Sequence, residues 1–202
     1  MIRRLFLGSL TAFGLIAGPA ASLDEQTAIT FVSETIDEVV VMMTDGGEGP
    51  ANVTELRRIV DRRIALDAVA RFVIGAAWRD MSDDQRSRFA EAFASSVTKS
   101  YAGRFEDFRG DRQAVRDSIA VRRAIDAGRK GTLVETEISP PSLPTIRMDF
   151  LVSDRPGRPA IVDVIIEGVS LAVTQRDIIT GMLDARGGDV EVLIADLQAH
   201  GS

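Results

Sequence analysis

The stretch DVIIEGVSLAVTQRD, Asp163–Asp177, decides how the second half of this 202-residue chain folds. It lies in a run rich in Val and Ile, which predicts a long last strand over Ala160–Ala172. In such a strand Asp163 and Glu167 share one face, roughly 13 Å apart, which is too far for them to share a proton or flank one bond. Two interpretations remain: Ser170 is a nucleophile, or the strand lines a site for an apolar ligand.

Three further strands are predicted upstream of this stretch. Ser118–Asp126 and Thr132–Ile138 flank the turn AGRKG, which indicates a hairpin. From Ile146 to Val152, apolar residues stand at every second position, which is typical of a strand with one buried face. Four strands joined by short turns predict an antiparallel meander.

The first half of the chain and its end show helical periodicity instead. Ser82, followed three residues later by Gln85, forms a capping-box pattern that opens a long helix. Helices packed on one face of an antiparallel sheet give an α+β domain. The other helical segments predicted from apolar spacing are Thr27–Met43, Thr54–Arg63, Asp67–Trp78 and about Gln175–His200, the last in two pieces around Gly187 and Gly188.

The N-terminus has the pattern of an export signal. Arg3 and Arg4 precede a short apolar run, and small residues follow up to Ser22, which predicts a cleaved signal peptide over residues 1–22, with a twin-arginine type possible. Residues 23–202 then form one domain. The chain has 24 basic and 30 acidic residues, and losing the two arginines takes its net charge from −6 to −8. An acidic chain is a poor nucleic-acid binder, because phosphate binding needs a basic surface.

Few residues could carry catalysis. The single histidine, His200, stands near the chain end and there is no cysteine, so Ser170 has no evident base to activate it. No acidic spacing matches a calcium loop. A lone buried carboxylate, Asp163 or Asp149, remains a candidate for a small acid–base enzyme. An ordinary ion pair with a neighbouring arginine would explain the same residues.

Large apolar side chains are abundant on the predicted strands and on the long helix. They form either a filled core or the lining of a cavity, and periodicity does not distinguish the two. A ligand-binding protein, a small enzyme and a protein-interaction module therefore all stay open. The candidate pocket residues are Phe72, Trp78, Phe89, Phe93, Val97, Tyr101, Ile146, Met148, Phe150, Val152, Val162, Val164, Ile166, Val169 and Leu171.

Two sequence blocks resemble the signatures of the MlaC family, also called the toluene-tolerance family. The first is RFVIGAAWRDMSDDQRSRFAEAFASSVTKSYAGRF over residues 71–105, and the second is VDVIIEGVSLAVTQRD over residues 162–177. GGDVEVLIADL, residues 187–197, is similar to the family's C-terminal helix. The positions shared in the first block are Arg71, Gly75, Trp78, Gln85, Arg86, Phe89, Phe93, Tyr101 and Ala102.

The resemblance implies a fold similar to nuclear transport factor two. In that fold a curved four-stranded antiparallel sheet and several helices enclose a deep apolar pocket. The candidate pocket residues would then hold acyl chains, and Arg147 and Arg176 would contact the headgroup at the pocket mouth. Gly168 would allow a bend or bulge in the last strand.

The resemblance also implies a function, that of a periplasmic phospholipid carrier rather than an enzyme. Its only ligand would be phospholipid, with no metal or other cofactor. Such a carrier serves an Mla-type ABC transport system that maintains outer-membrane lipid asymmetry. Its expected partners are an inner-membrane ABC transporter with an MCE-domain subunit and an outer-membrane lipoprotein–porin complex, both contacted transiently.

Overall fold

A computed structural model describes residues 23–45, 50–102, 111–140, 144–154 and 157–201. The predicted signal peptide, residues 1–22, lies outside these ranges. No helix within them is long and apolar enough to cross a membrane. The α+β class predicted from the sequence is confirmed, because helices precede and follow one antiparallel sheet.

Most helices overlap the predicted segments, but the short helix Arg112–Asp117 was not predicted, and the helix predicted from about Gln175 begins at Leu171. Ser82 and Gln85 form the predicted capping box, since the Ser82 N–H donates to Gln85 Oε1 at 2.9 Å and the Gln85 N–H donates to Ser82 Oγ at 3.2 Å. A short 3₁₀ helix, Gly75–Arg79, follows the third α-helix. The α-helices are α1 Glu25–Asp45, α2 Pro50–Arg63, α3 Leu66–Ile74, α4 Asp83–Ala102, α5 Arg112–Asp117, α6 Leu171–Asp184 and α7 Val190–Gly201.

The sheet has five strands rather than the predicted four, and they pair in chain order as an antiparallel meander. The AGRKG hairpin is present, with a 3₁₀ turn at Gly128–Lys130. The likeness to nuclear transport factor two stays a prediction. The strands are β1 Ile119–Asp126, β2 Thr132–Ile138, β3 Ile146–Ser153, β4 Ala160–Ile166 and β5 Val169–Ser170.

The prediction of one strand over Ala160–Ala172 is wrong. β4 ends at Ile166, and the chain reverses through Glu167 and Gly168, whose φ angles are 51° and 81°. Positive φ at both central residues is the requirement of a tight two-residue hairpin turn, and glycine adopts it at little cost. Val169 therefore pairs back onto Ile166. The apolar residues that follow belong to α6 and not to the sheet.

Two clusters of buried side chains form the interior. The sheet core joins α1 and α2 to β2, β3 and β4, with Val134 and Val152 at its centre. The helical core joins α3, α4, α6 and α7 around Phe89. α4 belongs to both, since its Phe93 lies in the helical core and its Ala102 in the sheet core. This helix therefore couples the two halves of the fold.

An ion-pair cluster on the surface ties α4 to α7. The Arg88 guanidinium donates to both carboxylate oxygens of Glu191, at 2.9 and 2.7 Å, and to Asp84 at 2.7 Å. Gln85 adds a bond to Glu191 at 3.0 Å. The hydrogen bond from Arg88 and then that from Gln85 lower the pKa of Glu191 from 4.5 to about 2. Glu191 thus stays ionised in the folded protein down to strongly acidic pH.

The Glu191 cluster predicts a specific acid response. Because the folded pKa lies below the ordinary one, the stabilisation is fully present above pH 4.5 and is lost as the pH falls toward about 2. Thermal unfolding midpoints of the wild type and Glu191→Gln, measured from pH 7 to pH 2, should therefore differ at neutral pH and converge only as the pH approaches 2. A constant difference across that range would contradict the role of Glu191. High salt should shrink the difference, since the cluster is exposed.

Candidate functional site

The segment after β4 forms a polar network that holds the start of α6. Ser170 is the N-cap residue of α6, and its Oγ accepts the Val173 N–H at 3.0 Å. The same hydroxyl donates to Asp163 Oδ2 at 2.6 Å, while Asp163 Oδ1 accepts the Ala172 N–H at 2.9 Å. Both oxygens of Asp163 are thus used to fix α6 to β4. Ser170 has a capping role, which explains a serine here without a nucleophile.

Removing this cap should cost stability and little else. Ser170→Ala loses the bond to Val173 and the bond to Asp163, so we expect a loss of about 1–2 kcal/mol in the free energy of unfolding by urea denaturation. Ser100→Ala is the matched control, because the exposed Ser100 hydroxyl donates to the Ser96 carbonyl within α4. Equal losses in the two variants would contradict the network.

Asp149 is a buried carboxylate on β3. It is 1% exposed, and its Oδ2 accepts from Arg147 Nε at 2.9 Å. Its Oδ1 is buried and has no hydrogen-bond partner among the described residues. The Arg147 backbone N–H also donates to the Glu167 carboxylate. Arg147, predicted to contact a headgroup, is therefore already neutralised by a neighbouring acid and anchored to the sheet.

Arg176 lies in a different environment. Its guanidinium stacks over the ring of Phe72, 5.1 Å from the centroid, and an added Cβ on Gly75 would lie 3.5 Å from its Nη2. No carboxylate of the described residues forms an ion pair with it. A cation–π contact with an aromatic ring uses none of the guanidinium N–H groups in a conventional hydrogen bond, so these donors stay available for an anion. Of the two predicted headgroup arginines, Arg176 is thus the one still able to bind an anion.

The predicted pocket residues do not all come together. One group belongs to the helical core and a second to the sheet core, while the rest lie outside both clusters. Their role as a lipid-binding pocket stays a prediction. In the helical core are Phe89 and Phe93, with Trp78 and Val97 packed against it; in the sheet core is Val152, with Phe150 and Val164 packed against it. Outside both are the half-buried Tyr101, Ile146, Met148, Val162, Ile166 and Leu171 and the exposed Phe72 and Val169.

Half-buried apolar residues continue the sheet core toward one end of the sheet. Residues two apart in a strand share a face, so Met148 lies on the face of Phe150, and Ile166 on that of Val164. Met148 pairs with Ile166 across β3 and β4, and Ile146 pairs with a residue absent from the prediction, Ile138 of β2. We call Ile138, Ile146, Met148 and Ile166 the apolar strip.

The apolar strip suits hydrocarbon better than a polar ligand. The hydroxyl of the neighbouring Thr136 is used within the sheet, where it donates to the Met148 carbonyl.

Ile138 could have been found from the sequence, since it continues the alternation of Thr132, Val134 and Thr136. Among the described residues no cluster of His, Cys, Asp or Glu could hold a metal ion.

A groove of ≈ 430 Å³ opens between α1 and α2, away from the predicted residues. Its acids are bonded within the protein: Glu38 accepts from Arg62 at 3.1 Å and from Arg63 at 2.6 Å. Val41 and Met42 line the groove beside these paired charges, and it lies apart from the predicted pocket residues. The lining residues are Asp37, Glu38, Val41, Met42, Asp45, Glu55 and Arg62.

Comparison with known proteins gives one family and one fold. The family model described as MlaC protein matches residues 33–199. No curated protein matches the chain. A solved structure of a phospholipid-binding protein from Ralstonia solanacearum, in complex with a phospholipid, superposes with a TM-score of 0.70. The two sequences are 18% identical, and the match covers 86% of this chain and 96% of the other.

Proposed function

Because this chain belongs to the MlaC family, we propose that it is a phospholipid carrier and not an enzyme. The family match over residues 33–199 is the observation that carries the proposal. The Ralstonia solanacearum protein of similar fold, solved with a phospholipid, supports it. The use of Ser170 as a helix cap and of Asp163 as its partner also favours binding over catalysis.

The energetics of lipid in water explain what a carrier must do. Each exposed CH₂ costs about 0.8 kcal/mol, so two chains of roughly 16 carbons would cost more than about 20 kcal/mol if carried bare. Moving the chains from a bilayer into an equally apolar site is nearly neutral. Loading and unloading can then both occur without an energy source in this chain.

The carrier operates in the periplasm, after removal of residues 1–22. It exchanges lipid with an inner-membrane ABC transporter through an MCE-domain subunit and with an outer-membrane lipoprotein–porin complex, and so helps to maintain outer-membrane lipid asymmetry. The direction of transport is imposed by those partners. The export pattern of Arg3 and Arg4 with the apolar run behind them supports this location.

The apolar strip and Arg176 are the parts of the described surface that fit such a ligand. Acyl chains would extend the sheet core over Met148 and Ile166, where the apolar face is only half covered. The phosphate would accept hydrogen bonds from Arg176, which has no competing carboxylate among the described residues. Arg147 is a weaker candidate for the headgroup because Asp149 already neutralises it.

Native mass spectrometry of the mature protein from a bacterial periplasm tests the proposal, followed by solvent extraction of the bound material. Phospholipid at near one-to-one ratio is the expected result. A protein that stays empty after incubation with phospholipid vesicles would overturn the carrier function. It would point instead to a small-molecule enzyme or a protein-interaction module.

A pair of isoleucine variants locates the site. Ile166→Asp places a charge in the apolar strip, and we expect the amount of co-purified phospholipid to fall at least about tenfold, since hydrocarbon next to a carboxylate is strongly unfavourable. Ile125→Asp, on the 36% exposed side chain of β1, is the matched control and should keep its lipid. Circular dichroism establishes that both variants fold. Undiminished lipid in a folded Ile166→Asp protein would show that the chains lie elsewhere.

A further inference from the structure

Exposed apolar side chains collect where α3, α6 and the β4–β5 turn meet. Phe72, Val169 and Val173 are 40%, 59% and 48% exposed, and exposed apolar residues are informative when they form a group. Phe72 touches Arg176 across the α3–α6 contact. Val173 lies three residues before Arg176 and four before Asp177 on α6, so it neighbours both of them on the helix surface. We call these five residues the α3–α6 face.

The charges of the α3–α6 face are not satisfied within the described part of the chain. Arg176 stacks on Phe72 but forms no ion pair, and the exposed Asp177 beside it forms none either. Aromatic and arginine side chains flanked by aliphatic ones are the composition of contact sites in protein interfaces. The complement of this face is an apolar surface that carries both a carboxylate and a cation.

A bilayer does not supply that complement. An anionic lipid surface would attract Arg176 but repel Asp177 and Glu167, which are exposed next to Val173 and Val169 respectively. A protein surface can place charges of both signs at fixed positions. The mixed charges therefore favour a protein as the occupant.

We propose that the α3–α6 face docks a partner protein whose contact surface is apolar and presents a carboxylate to Arg176, where it takes the place of the lipid phosphate. The proposal rests on the proposed carrier function, since a carrier must meet a donor and an acceptor of lipid. Three exposed apolar side chains within a charged rim suit a transient complex rather than a permanent one, because permanent interfaces are larger and more apolar.

The position of the face relative to the apolar strip gives docking a purpose. Val169 pairs directly with Ile166, the end of the strip, through the tight β4–β5 turn. Half-buried Leu171 links that turn to α6. A partner seated on Val169 and Val173 would thus border the region assigned to the acyl chains. Lipid could then pass between the two proteins with little hydrocarbon exposed to water.

Sedimentation with membranes tests the docking. The probes are envelope vesicles from the bacterium that expresses this chain, the same vesicles after protease treatment, and protein-free vesicles of phosphatidylethanolamine and phosphatidylglycerol. We expect the mature protein to pellet with intact envelope vesicles only. Val173→Asp should weaken this binding about tenfold or more, and Arg176→Gln should weaken it and reduce its dependence on salt.

Ile178→Asp is the matched control. Ile178 is also on α6 and 48% exposed, but it lies five residues from Val173, about 140° round the helix. It should pellet as the wild type does. Bound phospholipid, measured by mass spectrometry, should be unchanged in Val173→Asp, because Val173 lies outside the apolar strip.

Each other outcome overturns the docking proposal. If the protein pellets equally with protein-free vesicles, the face binds a bilayer. If light scattering detects a dimer that Val173→Asp dissociates, the face binds a second copy of this chain. If Val173→Asp pellets with envelope vesicles as well as the wild type does, the face is not a docking site. The same holds if the wild type does not pellet with them at all. Loss of the carrier function shows separately, as a wild type that carries no phospholipid.

Discussion

Gly131→Ala is expected to destabilise the fold on the order of 3 kcal/mol or more, despite adding a single methyl group. A Cβ on Gly131 would lie 2.1 Å from the backbone carbonyl oxygen of Val152 on β3, and backbone cannot move aside as a side chain can. The φ of Gly131 is 121°, with ψ at −148°, a region open almost only to glycine. Urea denaturation of the purified variant measures the loss.

The other glycine of the AGRKG turn provides the control. Gly128 also has a positive φ, 60°, but nothing lies within 4 Å of its Cβ position. Gly128→Ala should therefore cost only about 1 kcal/mol, the price of a left-handed backbone for alanine. Similar losses in the two variants would contradict the close approach of Gly131 to β3. A much larger loss for Gly131→Ala is expected from its close approach to Val152 and its backbone conformation together.

Local signals in the sequence were enough to predict most elements. The capping box at Ser82 and Gln85 reports directly on the first turn of α4, because it is a contact between residues three apart. The hairpin of β1 and β2 follows from alternating residues on both sides of a glycine-rich turn. Predictions of this kind succeed when the interaction that fixes the element joins residues close together in the sequence.

The prediction of where β4 ends was wrong for the opposite reason. Val169 to Val173 is apolar enough to continue a strand, and the residues themselves do not specify a helix start. α6 begins there because Ser170 caps it and because Asp163, on β4, binds both Ser170 and the Ala172 N–H. Asp163 reaches these partners only after Glu167 and Gly168 have reversed the chain. That contact depends on the tertiary fold, which periodicity does not encode.

The role of the candidate pocket residues in lipid binding stays a prediction, and the sequence did not predict how these residues are arranged. The large apolar residues lie partly in the helical core, partly in the sheet core and partly in the apolar strip. Their spacing in the sequence did not predict this division. Pairing across strands, as between Met148 and Ile166, requires the register of the sheet. The stacking of Arg176 on Phe72 joins residues far apart in the sequence, and no local pattern announces it.

Phe89→Ala is expected to cost about 3–5 kcal/mol, because it removes the ring at the centre of the helical core. Phe89 is fully buried, and its ring stacks on that of Phe93 with centroids 6.0 Å apart. Around it lie side chains of α3, α6 and α7, so a cavity left there would weaken contacts with three other helices at once. Denaturant unfolding gives the free energy, and native mass spectrometry of the same protein gives its lipid content.

Comparison with Phe72→Ala shows whether Phe89 belongs to the protein core or to a lipid-binding site. Phe72 is equally large but 40% exposed, so its loss should cost only about 1 kcal/mol, chiefly through the contact with Arg176. If Phe89 belongs to the core, its variant unfolds far more easily than Phe72→Ala. If Phe89 instead lines an acyl-chain cavity, the lipid-free variant would lose little stability while its phospholipid content falls. That result would place the lipid-binding site in the helical core rather than at the apolar strip. The Phe89 ring would then contact bound acyl chains, and its removal would affect lipid binding more than the packing of the protein.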